Sequence, residues 1–277
     1  MKQIPVALSI AGSDPVGGAG IQADLKTFSA LGAYGATVIT AVVAENTVGV
    51  QGVLQIPAAF VVEQWRSVVS DIRVDAIKIG MLANAEIIEA VGRCLDEQRC
   101  SCVVLDPVMV ATSGDRLLDA DAIDAMRRLI PKASLITPNL AEAAVLLDTS
   151  PARTVEDMEV QARALVASGA QRALLKGGHL EGHADSVDVL ACEDHLERIS
   201  APFVHTKNTH GTGCTLSSAI AALRPQATSW PAAVAEAKRW LSGALAAADC
   251  LQVGHGHGPV HHFYAAGGRW GRPASER

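Results

Sequence analysis

The feature that most constrains the fold of this chain is a regular alternation of short apolar runs with longer stretches of helical periodicity. The short runs, which read as β-strands, lie at residues 5–10, 76–79, 102–105, 134–136 and 172–175. The helical stretches lie at residues 18–31, 58–70, 84–98, 120–130, 139–147 and 154–168. Such alternation is typical of right-handed βαβ units. We therefore expect an α/β fold of three layers, in which a central, mostly parallel sheet is flanked by helices on both faces.

The alternation changes in two places. Residues 36–43 form one long run rich in β-branched side chains, which predicts a second strand. Residues 186–204 hold two or three short runs with no helix between them, which indicates a hairpin at one edge of the sheet. Two more helices are expected to begin near Thr212 and near Trp230. We predict one domain over residues 1–266 and a disordered tail over residues 267–277.

The composition narrows the classes of partner. The 277 residues carry a formal net charge of -6, which argues against a nucleic-acid partner because that role needs a dense basic surface. No apolar run approaches the roughly 18 residues of a membrane span, so no membrane contact is expected. The six cysteines contain no CxxC pair, and we interpret them as free thiols of a protein in the reducing cytoplasm.

The strongest local signal is the segment Gly211-Thr212-Gly213-Cys214 at the start of a predicted helix. Two glycines allow a tight turn in which successive N–H groups point into one concavity, at the positive end of the helix dipole. Such a site can stabilise an anion, including a phosphoryl group in transfer; the alternative is a loop that only caps the helix. A helix start also lowers the pKa of a thiol, so Cys214 is a candidate catalytic base, with an inert buried cysteine as the alternative.

Polar residues also follow two of the predicted strands. Asn139 and Glu142 begin the helix after residues 134–136, where an amide and a carboxylate suit a hydrated Mg²⁺ ion, although the same pair fits plain helix capping. Lys176 follows the strand 172–175 and precedes two glycines. A lysine at the carboxyl edge of a sheet can reach the phosphates of a ligand, and a solvated edge lysine is the alternative.

Two other patterns suggest different chemistry. The string from Gly18 to Ala23 matches the GxGxxA dinucleotide-binding fingerprint, but seven residues separate Ile10, the end of the first strand, from Gly18. That fingerprint requires its first glycine at the strand end, so nicotinamide chemistry is disfavoured; the GxxxxGK[ST] pattern of a P-loop is absent. Four histidines look like metal ligands but lack a nearby cysteine or carboxylate in sequence, so a structural or pocket-edge role is preferred to zinc: His255, His257, His261 and His262.

Together the motifs resemble those of a known family, the hydroxymethylpyrimidine/phosphomethylpyrimidine kinases of thiamine biosynthesis, which belong to the ribokinase-like superfamily. The resemblance is carried, in chain order, by GSDPVGGAGIQADLKTF, VAENTVGVQ, KIGML, TPNLAEA, LLKGGH and HGTGCTLSSAIAA. It extends from about residue 4 to residue 263. It implies two ATP-dependent phosphorylations at one site, first of the hydroxymethyl group of a pyrimidine and then of the resulting monophosphate.

The resemblance also implies roles in phosphoryl transfer. The glycine-rich segment at 211–213 would form the anion hole, with Cys214 at the position of the catalytic base. Lys176 and Asn139 would lie in the ATP site, and Glu142, together with Asn139, would organise Mg²⁺ and its waters. Many ribokinase-like kinases carry Asp at the position of Cys214.

The pyrimidine pocket implied by the resemblance would be lined by Gly12, Asp24, Glu45, Met81 and Val108. Asp24 and Glu45 would hydrogen-bond the ring nitrogens and the exocyclic amine, while Met81 and Val108 would supply apolar faces. Some relatives carry Gln at the position of Glu45.

Two alternatives stay open beside the pyrimidine kinase. One is a pyridoxal-type vitamin kinase, and the other is a non-catalytic sensor that binds the pyrimidine without turnover. Cys214 and Glu45 favour the pyrimidine over pyridoxal, and the set of phosphoryl-transfer groups argues against a pure sensor. The resemblance further implies a homodimer.

Overall fold

The computed structural model describes residues 3–97, 100–109, 122–178, 180 and 185–266. Its strands are β1 (Val6–Ala11), β2 (Tyr34–Ile39), β3 (Ala41–Asn46), β4 (Gly49–Gln55), β5 (Ala76–Ile79), β6 (Val103–Leu105), β7 (Leu135–Ile136), β8 (Arg172–Leu175), β9 (Asp185–Cys192) and β10 (His195–Pro202). Eight strands form one sheet in the order β10-β9-β8-β7-β6-β5-β1-β2, and β3 and β4 form a separate antiparallel pair. From β2 to β8 the neighbours in the large sheet are parallel; β9 and β10 are antiparallel.

The helices lie on both faces of the large sheet. They are α1 (Gly20–Ala30), α2 (Ala58–Val69), α3 (Ala85–Glu97), α4 (Ala122–Leu129), α5 (Leu140–Leu147), α6 (Val155–Ala167), α7 (Thr212–Leu223) and α8 (Trp230–Ala246). Side chains alternate across each strand, so Leu8 joins a core with helices α2 to α6, whereas its neighbour Ala7 joins a second core with α1, α7 and α8. The predicted three-layer α/β fold is confirmed.

Most of the predicted elements are confirmed, with boundaries shifted by a residue or two. The hairpin at the sheet edge is formed by β9 and β10, and the last two long helices begin at Thr212 and Trp230 as expected. Residues 120–121 of a predicted helix and the predicted tail at 267–277 lie outside the described residues. Within the described part of the chain, no helix combines the length and the hydropathy needed to cross a bilayer.

The prediction of one strand over residues 36–43 is wrong. β2 ends at Ile39 and β3 begins at Ala41, and the two belong to different sheets. Thr40, between them, is fully buried; its N–H donates to the carbonyl oxygen of Ala11 at 3.0 Å and its hydroxyl to that of Met81 at 2.6 Å. Both strands have the same β-branched pattern, so the sequence does not show a change of sheet that takes place at a single residue. The partner strand β4 was not predicted either.

Candidate active site

The carboxyl ends of five adjacent parallel strands bring most of the predicted site residues to one edge of the sheet. Gly12 follows β1, Met81 follows β5 by two residues, Asp106 follows β6, Asn139 follows β7 by three residues and Lys176 follows β8. Because β1, β5, β6, β7 and β8 are neighbours in this order, these residues are distributed along the edge in the same order. In open α/β sheets this edge is where ligands bind.

The glycine-rich segment begins α7, as predicted. Gly211 is the N-terminal cap of the helix and has a φ of 76°. A Cβ atom at this position would lie 1.8 Å from the carbonyl oxygen of Gly18, in the loop before α1. Residues other than glycine are therefore disfavoured at position 211 for two reasons: the backbone is left-handed, and a second loop approaches closely.

Cys214 lies half-buried in the first turn of α7. Burial raises the pKa of its thiol, Lys78 lowers it, and Asp24 and Asp106 raise it further; the N–H of Gly20, which hydrogen-bonds the sulfur, lowers it. The net shift is upward, so the predicted lowering of the Cys214 pKa is wrong. Desolvation outweighs the favourable charge of Lys78, and the thiol is protonated at neutral pH.

Asp24 and Lys78 form a fully buried ion pair beneath α7. The Lys78 ammonium donates to both oxygens of Asp24 at 2.9 Å, and the hydroxyls of Ser9 and Ser218 donate to the same carboxylate at 2.5 and 2.6 Å. Burial alone would lower the pKa of Lys78, but the charge of Asp24 raises it above its ordinary value. The four acceptor positions of Asp24 are thus occupied by protein groups. No acceptor position then remains on Asp24 for the hydrogen bonds with the pyrimidine that the resemblance implied.

A second ion pair joins Lys176 to Asp106, a residue that sequence reasoning missed. The Lys176 ammonium donates to Asp106 at 2.8 Å, and the Thr137 hydroxyl donates to the same oxygen at 3.0 Å. A Cβ atom on Gly213 would lie 3.3 Å from the Lys176 nitrogen and 3.4 Å from the second Asp106 oxygen. The pair therefore lies directly against the glycine-rich segment. Burial lowers the pKa of Lys176, but Asp106 and Glu142 raise it, with a net upward shift.

Asn139 and Glu142 form a capping box at the start of α5. The Asn139 side-chain oxygen accepts from the Glu142 N–H at 2.9 Å, and the Glu142 carboxylate accepts from the Asn139 N–H at 2.8 Å. The capping alternative is confirmed, and it leaves the second carboxylate oxygen of Glu142 outside the box. Burial raises the pKa of Glu142 to about 7, Lys176 opposes this shift and Asp106 adds to it.

Three residues predicted for the pyrimidine pocket lie together. Met81 packs in a small apolar cluster with Ala41 and Val43, and Val108 packs against the same cluster. A Cβ atom on Gly12 would lie 2.5 Å from the terminal methyl of Met81, so Gly12 leaves room for that side chain. The cluster joins the two-stranded sheet to the ends of β1, β5 and β6.

Glu45, the fourth pocket residue, lies in β3 near a pair formed by Asp14 and His210. The ligand atoms of these three side chains all lie within 4.8 Å of one another. The His210 ring contacts Asp14 at 2.9 Å, and the same carboxylate accepts from the N–H groups of Gly18 and Ala19 at 2.8 and 2.6 Å. Burial raises the pKa of Asp14, but these hydrogen bonds lower it by more; burial lowers the pKa of His210, but Asp14 and Glu45 raise it by more.

The C-terminal histidines have structural contacts. The His262 ring contacts the Thr215 hydroxyl at 3.1 Å, and burial lowers its pKa to about 3, with Lys26 and His261 adding to the effect. Among the residues that the structure describes, the one group of three or more metal-ligand side chains is the set at Asp14, Glu45 and His210, which contains none of these four histidines.

Comparison with known proteins identifies the family. The family model described as phosphomethylpyrimidine kinase matches residues 14–261. The chain belongs to the phosphomethylpyrimidine kinase family. Among the curated members, hydroxymethylpyrimidine/phosphomethylpyrimidine kinase of Salmonella typhimurium is 61% identical over 94% of this chain and 97% of the relative. The relative of Escherichia coli with the same name is 59% identical over 96% of this chain and 99% of its own length.

The solved structures place this phosphomethylpyrimidine kinase family member in the ribokinase-like fold. A phosphomethylpyrimidine kinase from Clostridium difficile superposes with a TM-score of 0.77 at 38% identity, over 88% of this chain and all of that one. Pyridoxal kinase from Staphylococcus aureus, in complex with AMP-PCP and pyridoxal, superposes with a TM-score of 0.86 at 32% identity, over 95% of each chain. The fold is therefore shared by a phosphomethylpyrimidine kinase and a pyridoxal kinase.

Sequence reasoning missed residues that the structure places beside this site. Asp106 had a signal, since it directly follows a predicted strand at the edge that holds Lys176. Lys78 had one too, because a lysine within the apolar run 76–79 must be buried and paired. Asp14 and His210 lay inside motifs that were noted for their glycines. Nothing in the sequence linked these two residues, which are 196 positions apart.

Proposed function

We propose that this chain is an ATP-dependent kinase of thiamine biosynthesis. It phosphorylates 4-amino-5-hydroxymethyl-2-methylpyrimidine and then converts the monophosphate to the diphosphate. The observation that carries the proposal is the 61% identity, over 94% of the chain, to a hydroxymethylpyrimidine/phosphomethylpyrimidine kinase. The grouping of Lys176, Asp106 and the glycine-rich segment supports a transferase in preference to a sensor, because a binding protein has no use for groups that stabilise a phosphoryl group in transfer.

The two substrates bind side by side along the carboxyl edge of the sheet. ATP phosphates lie near Lys176 and Asn139, after β8 and β7. The pyrimidine lies at the Gly12, Met81 and Val108 cluster, beside Glu45 and after β1, β5 and β6. The start of α7 lies between the two substrates, so its N–H groups face the phosphoryl group as it moves.

Cys214 is the base in this scheme. Its thiolate takes the proton of the substrate hydroxyl, the hydroxyl oxygen forms a bond to the γ-phosphorus, and the bond from that phosphorus to the leaving oxygen of ADP breaks. The raised pKa of the thiol means that only a small fraction is thiolate at neutral pH. That thiolate is correspondingly basic toward the hydroxyl.

The residues near Lys176 fit a magnesium ion. Glu142 and Asp106 supply two carboxylates in a buried setting, where burial, with the charge of Asp106 adding to it, raises the pKa of Glu142 to about 7. A hydrated Mg²⁺ takes few protein ligands and prefers carboxylate oxygen. Glu142, with Asp106 beside it, would hold the ion, and Asn139 fixes Glu142 by the capping box. When bound, Mg²⁺ neutralises charge on the phosphates.

A coupled assay of ADP release tests the proposed activity. We expect turnover with the hydroxymethylpyrimidine and with its monophosphate, and a much lower kcat/KM with pyridoxal. Pyridoxal belongs in the comparison because pyridoxal kinase shares this fold with a TM-score of 0.86. A preference for pyridoxal would overturn the substrate assignment, and ATP consumption independent of all three compounds would overturn the kinase assignment.

The proposal includes a homodimer in the cytoplasm. Several large apolar side chains are exposed on the two-stranded sheet and its turn: Val42, Val48, Val53 and Leu54. Val42 and Leu54 are direct cross-strand partners, so they form one exposed apolar pair. Such a surface suits a second copy of the chain. The free cysteines suit a reducing compartment.

A further inference from the structure

The buried pair of Asp24 and Lys78 is connected directly to the helix that carries Cys214. The Ser218 hydroxyl donates to Asp24 at 2.6 Å, and Ser218 lies four residues after Cys214 in α7. Residues four apart lie on the same face of a helix, so the face that presents the thiol also rests on the ion pair. Both side chains of the pair have 0% of their surface exposed.

The surroundings are shaped to hold the Lys78 ammonium in this place. Lys78 comes from the middle of β5, and Gly80 follows it by two residues. A Cβ atom on Gly80 would lie 2.7 Å from the Lys78 nitrogen and 3.1 Å from the Ala11 Cβ. Glycine at this position therefore leaves the space that the ammonium occupies. Ser9 completes the set of donors to Asp24 at 2.5 Å.

Several charged groups on the surrounding elements act on the Cys214 thiol, and the Lys78 ammonium has the largest single effect among them. Lys78 approaches from β5, Asp24 from α1, and Asp106 and Lys176 from the ends of β6 and β8. Lys78 lowers the pKa of Cys214 by more than Asp24 raises it. The pair as a whole therefore favours the thiolate form of Cys214.

We propose that Asp24 and Lys78 are positioning residues for Cys214: Asp24 holds the Lys78 ammonium beneath α7, where its charge stabilises the thiolate. This inference rests on the proposed function, in which Cys214 is the base. It replaces the pocket role of Asp24 with a role in the support of the catalytic residue. Burial of the pair costs desolvation free energy in the folded protein. Stabilisation of the catalytic thiolate is the function that this cost would serve.

The test measures the acidity of Cys214 directly. The rate of alkylation of Cys214 by iodoacetamide, followed by mass spectrometry of its peptide, is recorded as a function of pH for wild type and for Lys78→Met combined with Asp24→Asn. The double variant removes both charges together, so no unpaired buried charge remains. Loss of the ammonium raises the thiol pKa, and we expect the alkylation rate near about pH 8 to fall roughly tenfold. We also expect kcat to fall, its acid limb to move to higher pH, and KM for ATP to stay close to the wild-type value.

The chain offers a matched control in a second buried pair. Lys238 donates to Asp188 at 2.7 Å, and neither residue is among the charges that act on Cys214. Lys238→Met combined with Asp188→Asn should leave the alkylation profile of Cys214 at its wild-type position. An unchanged profile in the first double variant, or an equal shift in both, would overturn the positioning role. Wild-type turnover in Cys214→Ala would instead overturn the base assignment, while the alkylation profile would still report on the pair.

Discussion

Cys214 is the residue on which the proposed proton transfer depends. Cys214→Ala removes the base but leaves the backbone N–H groups of α7 and the Lys176 pair in place. We expect kcat to fall by about 10²–10⁴-fold, the range for loss of a general base, with little change in the affinity for ATP. Steady-state turnover with both substrates saturating measures kcat, and calorimetry measures the affinity for ATP. Cys250→Ala, at an exposed thiol, is the control and should behave as wild type.

Glu142 links the metal requirement to pH. Its pKa of about 7 means that the carboxyl group is mostly protonated at about pH 6 and mostly ionised at about pH 8. Because a cation must displace that proton, we expect the Mg²⁺ concentration for half-maximal rate to rise roughly tenfold from the higher to the lower pH. Glu142→Gln should raise the Mg²⁺ requirement at both pH values and remove most of the pH dependence. The Mg²⁺ titrations are run on wild type and on Glu142→Gln at both pH values. If the Mg²⁺ requirement of the variant depends on pH as that of the wild type does, this role of Glu142 is contradicted.

At the scale of elements, the loop before α1 and the start of α7 are joined by Asp14. Its carboxylate accepts from the N–H groups of Val16, Gly18 and Ala19 and pairs with His210. Asp14→Ala leaves these partners buried without an acceptor, and we expect a loss of about 2–4 kcal/mol in the free energy of unfolding. Urea denaturation measures it. Thr154→Ala, which removes an exposed capping box from α6, is the control and should cost less.

The pH dependence of that loss has a definite sign. The pKa of Asp14 is lowered in the folded protein, so its contribution is present above the ordinary value near about 4 and is lost as the pH falls. The pKa of His210 is raised, so its contribution is complete below about 6.5 and is lost as the pH rises through the folded-state pKa. The difference between wild type and Asp14→Ala should therefore be largest between about pH 4 and 6.5. A difference that is constant across pH would show that the ion pair contributes nothing.

The close contact at Gly211 yields a further prediction at the same scale. In Gly211→Ala the new methyl group would meet the Gly18 carbonyl oxygen at 1.8 Å, and φ of 76° is unfavourable for alanine. The two loops must separate, which moves the N–H groups of α7 away from the phosphoryl group. A displacement of about 1 Å costs roughly 100-fold in rate, and we expect a loss of that size in kcat. Gly52→Ala, where no atom lies within 4 Å of the added methyl group, is the control.

The sequence predicts the elements of this fold better than it predicts their assignment to sheets. The strand over residues 76–79 and the helix after Gly211 follow from local periodicity and glycine placement, and both are confirmed. The change of sheet at Thr40 depends on a buried hydroxyl that bonds the Met81 carbonyl oxygen, 41 positions away. Local patterns carry no information about such a contact. The same limit explains why β4 was missed, since most of its side chains are exposed and show no alternation.

In the candidate site, too, the sequence predicts local features but not long-range contacts. Lys176, Asn139 and Gly211 were found because strand ends and helix starts are local features. The predicted direction of the shift in the Cys214 pKa was wrong. The sequence shows the helix start, which lowers the pKa, but not the burial, which raises it by more. Asp24 was placed with the substrate by resemblance, and only the folded chain brings its carboxylate to Lys78 and Ser218.

At the scale of the whole molecule, the exposed apolar pair on the two-stranded sheet predicts the oligomeric state. Leu54 is 68% exposed in β4, and we expect Leu54→Asp to convert a homodimer to a monomer, because a buried charge would face the partner's apolar surface. Light scattering coupled to size-exclusion chromatography measures the mass. Val160→Asp in α6, also 68% exposed but away from this sheet, should leave the mass unchanged. A monomeric wild type would contradict the proposed dimer.

The two carboxylates near the amino terminus have partners that are made very late in synthesis. Asp24 meets Ser218 across 194 positions and Asp14 meets His210 across 196. During synthesis all strands of the large sheet are therefore made before Ser218 and His210 can complete the bonding of these two acid groups, although Lys78 and Ser9 are already available to Asp24. A chain interrupted before residue 210 would therefore lack both of these partners, and it could gain them only from a separate polypeptide that contains His210 and the last two long helices.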